Sequence, residues 1–381
     1  MYACSAATAP IRTRATVCTA TSGGRGGQFP GQLYRKSADR SSERDYAGRM
    51  TVLLYEEFGT GRHRESSLIR HALGNSHDEA LVAGLAGGIG FMYFVFEYPD
   101  RPPVATIVAQ AHPEPWVQVA LGRLHVPYDA TRSTNPRWGR VRAALDGGQP
   151  VFCVVDRASL PWHEAAAPMP GADAYTVVIA GYEGDDLFVE DGAAAPYRID
   201  REEFGAAWSA HPTGRHQLVV PTGPPEAEPD LDAAVAATVG RLNGPVLGNR
   251  FDVNFGFSGM DRLAADLRDT ATAAGWGQRF GGSPEAFRAA GRRLHASLEE
   301  EWTAPGATRP LYADFLDLAG RPEAAGLFRE SGLHWSRLAG LARAAAPGAD
   351  AEERRALFDA CADLVDRCSE LEREAVATLA G

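Results

Sequence analysis

The residues with the most chemistry to offer crowd into one short run, Gly61-Arg62-His63-Arg64-Glu65-Ser66-Ser67. Behind it Leu68, Ile69, Ala72 and Leu73 recur at helical spacing, and Gly74-Asn75 ends the pattern. The run therefore opens a helix, where free backbone N–H groups and the dipole favour an anion or an oxyanion. Ser66 or Ser67 could serve there as a nucleophile with His63 as its base; the first turn is also where serine is favoured for capping alone. Arg64 cannot be a nucleophile, because its guanidinium stays protonated, but it can hold a carboxylate or a phosphate. His163, in the loop Leu160-Pro161-Trp162-His163, is either a second imidazole for such a site or a solvated loop residue. Cys153 lies in Val151-Phe152-Cys153-Val154-Val155, a buried-strand pattern, and reads as a small core hydrophobe.

Other chemistries are closed off. Lys36 is the only lysine, so a Schiff-base, pyridoxal-phosphate or phosphate-loop lysine is excluded beyond it. The glycine run from Gly84 to Gly90 follows a helix rather than a strand, so it is no dinucleotide fingerprint. Cys4, Cys18, Cys153, Cys361 and Cys368 make no Cys-x-x-Cys pair, and no His/Cys cluster has zinc spacing. Neither a metal nor any other cofactor is expected. The unpaired cysteines fit a reducing cytoplasm. A formal net charge of −11 argues against a nucleic-acid surface. No apolar run approaches the ~20 residues of a membrane span.

The elements that position these residues follow from the rest of the pattern. Ser76 and Glu79 read as a capping box for a second helix that Gly87-Gly88 ends, and Phe91 to Tyr98 reads as a strand. Helices are expected near Pro115 to Leu124 and Asn135 to Asp146, then a strand from Gln149 to Asp156. Asp173 to Tyr182 and Leu187 to Gly192 make a hairpin about Glu183-Gly184-Asp185-Asp186. A Pro/Gly linker at Val220 to Pro225 divides this half from a helical one. There Pro229 to Leu242 is amphipathic, Ser258 with Asp261 reads as a cap, and Ser283-Pro284-Glu285 as a cap with an N1 proline. In the last helix, Asp350 to Ala380, residues Leu357, Cys361, Leu364, Cys368, Leu371, Ala375 and Leu379 form a narrow seam. Residues 1–49 show no lasting periodicity and are expected to be disordered, with Met50 a natural start. The expected layout is a tail at 1–49, one domain at 50–220 and a helical one at 221–381.

The helix-opening run, the glycine stretch and the hairpin resemble the amino-terminal domain of the butirosin biosynthesis protein H (BtrH) family. Asn254-Phe255-Gly256-Phe257 and Leu311-Tyr312-Ala313-Asp314-Phe315-Leu316 resemble the uncharacterised helical domain that follows it in relatives. The resemblance implies an α+β protein: a papain-like, cysteine-peptidase-like N-terminal domain and an all-helical C-terminal domain. It implies transfer of an aminoacyl or acyl group from an acyl carrier protein thioester to a small-molecule amine in specialised-metabolite, including antibiotic, biosynthesis. Relatives open the first helix with His-Cys, the cysteine accepting the acyl group; here the pair is His63-Arg64. They place the catalytic histidine where Tyr175 stands, and the aspartate that orients it where Asp191 stands. Two functions stay open on this basis. One is acyl transfer by another mechanism, at a site of His63, Arg64, Ser66, Ser67, Tyr175 and Asp191. The other is a catalytically inactive relative that binds a small acidic ligand or a partner protein.

Overall fold

Alternation along Val151-Phe152-Cys153-Val154-Val155 decides the architecture, because it sends side chains to two different cores. Phe152 joins a core shared with the helical half, while Val151, Cys153 and Val155 join one under two N-terminal helices. A computed structural model describes residues 51–98, 101–110, 114–163, 174–210, 216–345 and 348–380; the expected tail at 1–49 and Met50 lie outside the described residues.

The chain opens with β1 (Thr51–Leu53), α1 (Arg64–Ala72) and α2 (Glu79–Ala86). A hairpin of β2 (Met92–Tyr98) and β3 (Arg101–Val108) follows, then α3 (Trp116–Arg123), β4 (Tyr128–Thr131) and α4 (Trp138–Asp146). Next come β5 (Val151–Asp156), β6 (Ala174–Glu183), β7 (Asp186–Glu190), β8 (Tyr197–Asp200), α5 (Arg201–Ala210) and β9 (Leu218–Pro221). The rest is helical: α6 (Leu231–Asn243), α7 (Gly256–Arg268), α8 (Trp276–Arg279), α9 (Pro284–Glu299), α10 (Arg309–Leu318), α11 (Pro322–Arg343) and α12 (Ala351–Ala380). The mixed α+β class and the helical second half are as expected.

The main sheet is antiparallel, in the order β4-β9-β5-β6-β7-β8, with β1 paired to the far end of β6. One face carries α4 and α5 through Val141, Leu145, Phe204 and Trp208. The opposite face carries Phe152, Val178 and Val219 into a continuous core with Ile69, Leu85, Phe257 and Trp335. From residue 50 onward the chain is one compact unit.

A buried ion pair crosses this core. Arg309 and Glu372 are both fully buried. The guanidinium donates to both Glu372 oxygens at 2.8 and 2.9 Å and to the carbonyls of Gly90, Ala109 and Ala307 at 2.9–3.1 Å. Ser331 and Trp335 complete the Glu372 carboxylate at 2.6 and 2.9 Å. Such completeness is what lets two charges leave water.

Three local expectations are corrected. The cap of α2 is Asp78, not Ser76; Ser76 Oγ donates to Leu73 O, and Glu79 is spent on the His63 backbone N–H. Helix α7 begins at Gly256, so Ser258 lies inside it rather than capping it. The seam of α12 is wide, since Phe358, Ala362, Val365 and Val376 are buried beside it; the helix packs against both α11 and α7. Ser283 does cap α9, accepting from Ala286 N–H at 3.1 Å, with Pro284 in the first turn.

Candidate functional site

Helix α1 places its N-terminus against the ends of β6 and β7, and the six expected residues meet there in two linked groups. The first is local. His63 is the N-cap of α1, its backbone extended (φ −136°, ψ 118°), and its ring is fully buried. Ser66 Oγ lies 2.7 Å from Nδ1 and Ser66 N–H donates to the same nitrogen at 3.3 Å. Nε2 faces two acceptors, Gln110 Oε1 at 2.9 Å and Glu65 Oε2 at 3.1 Å. The network therefore assigns the ring proton to Nε2, leaving Nδ1 to accept from the Ser66 hydroxyl. These are the distances of a Ser–His–Glu triad, but Ser66 and His63 have no exposed surface. Ser67 is also buried; its hydroxyl donates to His63 O at 3.0 Å and accepts Gly61 N–H at 2.9 Å, which fastens the turn before the helix.

The second group surrounds Asp191, which follows β7 and has a fully buried side chain. Its Oδ1 takes Arg64 Nε–H at 2.7 Å and also an Arg64 Nη2–H. Its Oδ2 takes Trp162 Nε1–H at 2.7 Å and lies 2.8 Å from His163 Nε2. The guanidinium of Arg64 further donates to Thr176 O at 2.5 Å and Glu65 Oε1 at 3.2 Å, and lies 3.9 Å above the Tyr175 ring. Gly192 makes room for this packing: its φ of +78° suits glycine, and a β-carbon there would run into the Thr60 hydroxyl.

The electrostatics follow from burial set against pairing. Burial pushes the Asp191 carboxyl up, but the Arg64 charge and hydrogen bonds from His163 and Trp162 outweigh it and hold it below the usual carboxylate range. Burial likewise opposes ionisation of Glu65, and the hydrogen bond from the His63 ring, with the Arg64 charge, brings it down to about 2. Burial alone would weaken the Arg64 charge; Asp191 reverses that, so the residue stays cationic. Burial raises the Tyr175 phenol, which remains a neutral donor and not a base. Cys153 is fully buried and burial raises its thiol, as its strand pattern implied.

Sequence reasoning weighed His163 but had no means of placing it. The ring comes from the loop after β5, meets the same aspartate, and stands edge-on to Tyr175 with centroids 5.1 Å apart. Gln110 was missed entirely. It carries the site inward, donating at 3.0 Å to Thr308 Oγ1 at the N-cap of α10. Neither residue belongs to a recognisable motif; a buried glutamine after an apolar strand was the available signal.

A helix N-terminus set against two adjacent antiparallel strands, with a buried carboxylate at the junction, is the layout expected of the cysteine-peptidase-like class. The match to known families is specific. Residues 63–192 match the family model described as butirosin biosynthesis protein H, N-terminal, and residues 206–379 match DUF4872, a domain of unknown function. The chain thus carries a butirosin biosynthesis protein H N-terminal domain followed by a DUF4872 domain. The first match begins at His63 and ends at Gly192, so it frames the site described. A solved structure from Bacillus anthracis, described as a putative C39-like peptidase, is similar at 14% identity and a TM-score of 0.32, over 46% of this chain and 100% of its own. No curated protein matches the sequence. Among the described residues no helix is long and apolar enough to cross a membrane.

Proposed function

We propose that this chain is a relative of the BtrH-type acyltransferases that forms no acyl-enzyme and acts by binding. The observation that carries this reading is the state of Arg64. Its guanidinium fills the helix end where the family resemblance implies a nucleophile, and it is already neutralised by Asp191 and Glu65. A guanidinium offers no lone pair for attack on a thioester, and Cys153 is too deeply buried to substitute. Because two carboxylates already occupy Arg64, it is a strut rather than a receptor for a small acidic ligand. An acyl carrier protein or another partner protein is the natural occupant of a fold kept without its thiol.

One observation favours a second reading. Ser66, His63 and Glu65 have triad distances, so a motion that exposed Ser66 would give an oxygen nucleophile. Turnover separates the two. An acyl N-acetylcysteamine thioester is mixed with a primary amine, and amide formation is followed with and without the protein. The binding reading expects the buffer rate. Acceleration that disappears in Ser66→Ala supports the second reading and removes the first.

A further inference from the structure

The face of the main sheet that carries α4 and α5 holds a cleft of about 230 Å³ that the site above does not use. Tyr182 on its wall and Tyr175 in that site stand near opposite ends of β6, roughly 20 Å apart along the strand. Trp138, Val141 and Leu145 recur at helical spacing on α4, and with Leu187 of β7 they give the cleft an apolar lining. Trp138 is held in place by Phe204 and Trp208, with ring centroids 6.3 and 5.3 Å away.

Two arginines stand at the rim of this lining, and the β6–β7 turn brings them together. The Arg142 guanidinium lies 4.2 Å over the Tyr182 ring, with Nη1 3.4 Å from Gly184 O. Arg201 pairs with Asp185 at 3.0 Å, and its backbone N–H donates to Asp185 O at 3.1 Å. Gly184 and Asp185 are consecutive, so one turn fixes both guanidiniums. Asp185 is spent on Arg201. Arg142 forms no ion pair among the described residues, and Asp146, one turn along α4, takes the Tyr182 hydroxyl instead. A guanidinium over an aromatic face keeps N–H groups in its own plane, where a carboxylate can accept two of them in parallel. Asp185 beside Arg201 opposes a dianion, so a single negative charge is the better fit. An apolar cavity of ~150 Å³ takes one benzene ring, so the space here suits one ring on a short chain.

We propose that this cleft binds a small aromatic monocarboxylate, its ring on the lining of Trp138, Leu145 and Leu187 and its carboxylate on Arg142. The proposal goes beyond the reading of the Arg64 position and does not rest on it, since no lining residue is a hydrogen-bond partner of Arg64, Ser66 or Asp191. Titration calorimetry on the full chain tests it, with phenylacetate as probe. Acetate has the charge without the ring, 2-phenylethanol the ring without the charge, and phenyl phosphate a second charge. Phenylacetate is expected to bind with millimolar affinity or better, and each comparison at least about tenfold more weakly. Arg142→Gln removes the unpaired charge. Gly139 lines the cleft and a β-carbon there meets nothing within 4 Å, so Gly139→Phe fills the space without a clash. Each variant should weaken phenylacetate by about tenfold or more with the melting temperature kept. Absence of phenylacetate binding at millimolar concentration, any comparison binding as tightly, or unchanged affinity in either variant overturns the proposal. The thioester assay above reports on Arg64 and Ser66 separately, so failure of either reading is told apart from failure of the other.

Discussion

Asp191 accepts hydrogen bonds from Arg64 Nε and Nη2, Trp162 and His163, and no water is needed to complete it. Removing its charge would leave Arg64 with Glu65 alone, in a setting where the arginine side chain is 16% exposed. Breaking one partner from a buried pair costs about 3–5 kcal/mol. Asp191→Asn should therefore lose about 3 kcal/mol, the low end, because Glu65 and the stacking of Arg64 on the Tyr175 ring remain. Urea denaturation of the variant beside the parent measures the loss. The pH dependence has a definite sign. Asp191 is held below its ordinary range and Glu65 at about 2, against unfolded values near about 3.9 and 4.3. Their contribution is complete above the unfolded values and is lost as pH falls toward the folded ones, because the unfolded chain takes up protons first. The urea midpoint of the parent should fall as pH drops below about 4, and that of Asp191→Asn should fall less steeply. Of these residues, His63 and Ser66 were legible because they lie within one helical turn. His163 and Gln110 were not, because their partners are distant in sequence and their position is set by packing.

At the scale of elements, the strongly patterned pieces were legible and the exceptions have identifiable causes. The β6–β7 hairpin follows its Gly/Asp turn, and the glycine pair closes α2. Strand β3 was missed because Pro102 and Pro103 argue against a strand; it pairs with β2 in a separate two-stranded sheet, where proline is tolerated at an edge. The start of α7 was misplaced because Phe255 caps it without any side-chain hydrogen bond, so no polar residue marks it. Helix α2 shows what a bare sequence hides in its glycines. Gly84 faces the Phe315 ring of α10 so closely that a β-carbon would overlap it. Gly84→Ala, helpful to an isolated helix, should here cost about 1–3 kcal/mol by overpacking, measured as a lower urea midpoint. A raised midpoint would show that α10 can retreat freely.

Across the whole molecule, the helical half is continuous with the N-terminal core, and Arg309 with Glu372 is the polar part of that union. Arg309 binds carbonyls of Gly90 and Ala109 from one half while its carboxylate partner belongs to α12. Arg309→Met would strand a fully buried Glu372 charge, a loss of about 3–5 kcal/mol. Both halves should then unfold at the same lower urea concentration, followed by fluorescence of Trp208 beside the sheet and Trp335 in α11. Two separated transitions would contradict a shared core. Nothing in the sequence flagged the pair, a lone arginine before Pro310 and a glutamate within a helix. Only the packing of α12 between α11 and α7 makes them interior.

On the proposed reading, Arg64, tied to Asp191 and Glu65, takes the place of an acyl-accepting thiol. Intact mass after incubation with an acyl thioester tests it most directly, on the parent chain and on the double variant Arg64→Cys with Tyr175→His. The parent should keep its mass. The double variant should gain one acyl group, mapped to position 64, because the helix N-terminus and Asp191 are already in place to support a thiolate and an imidazole. An acyl group on the parent chain at any residue of this site would contradict the account.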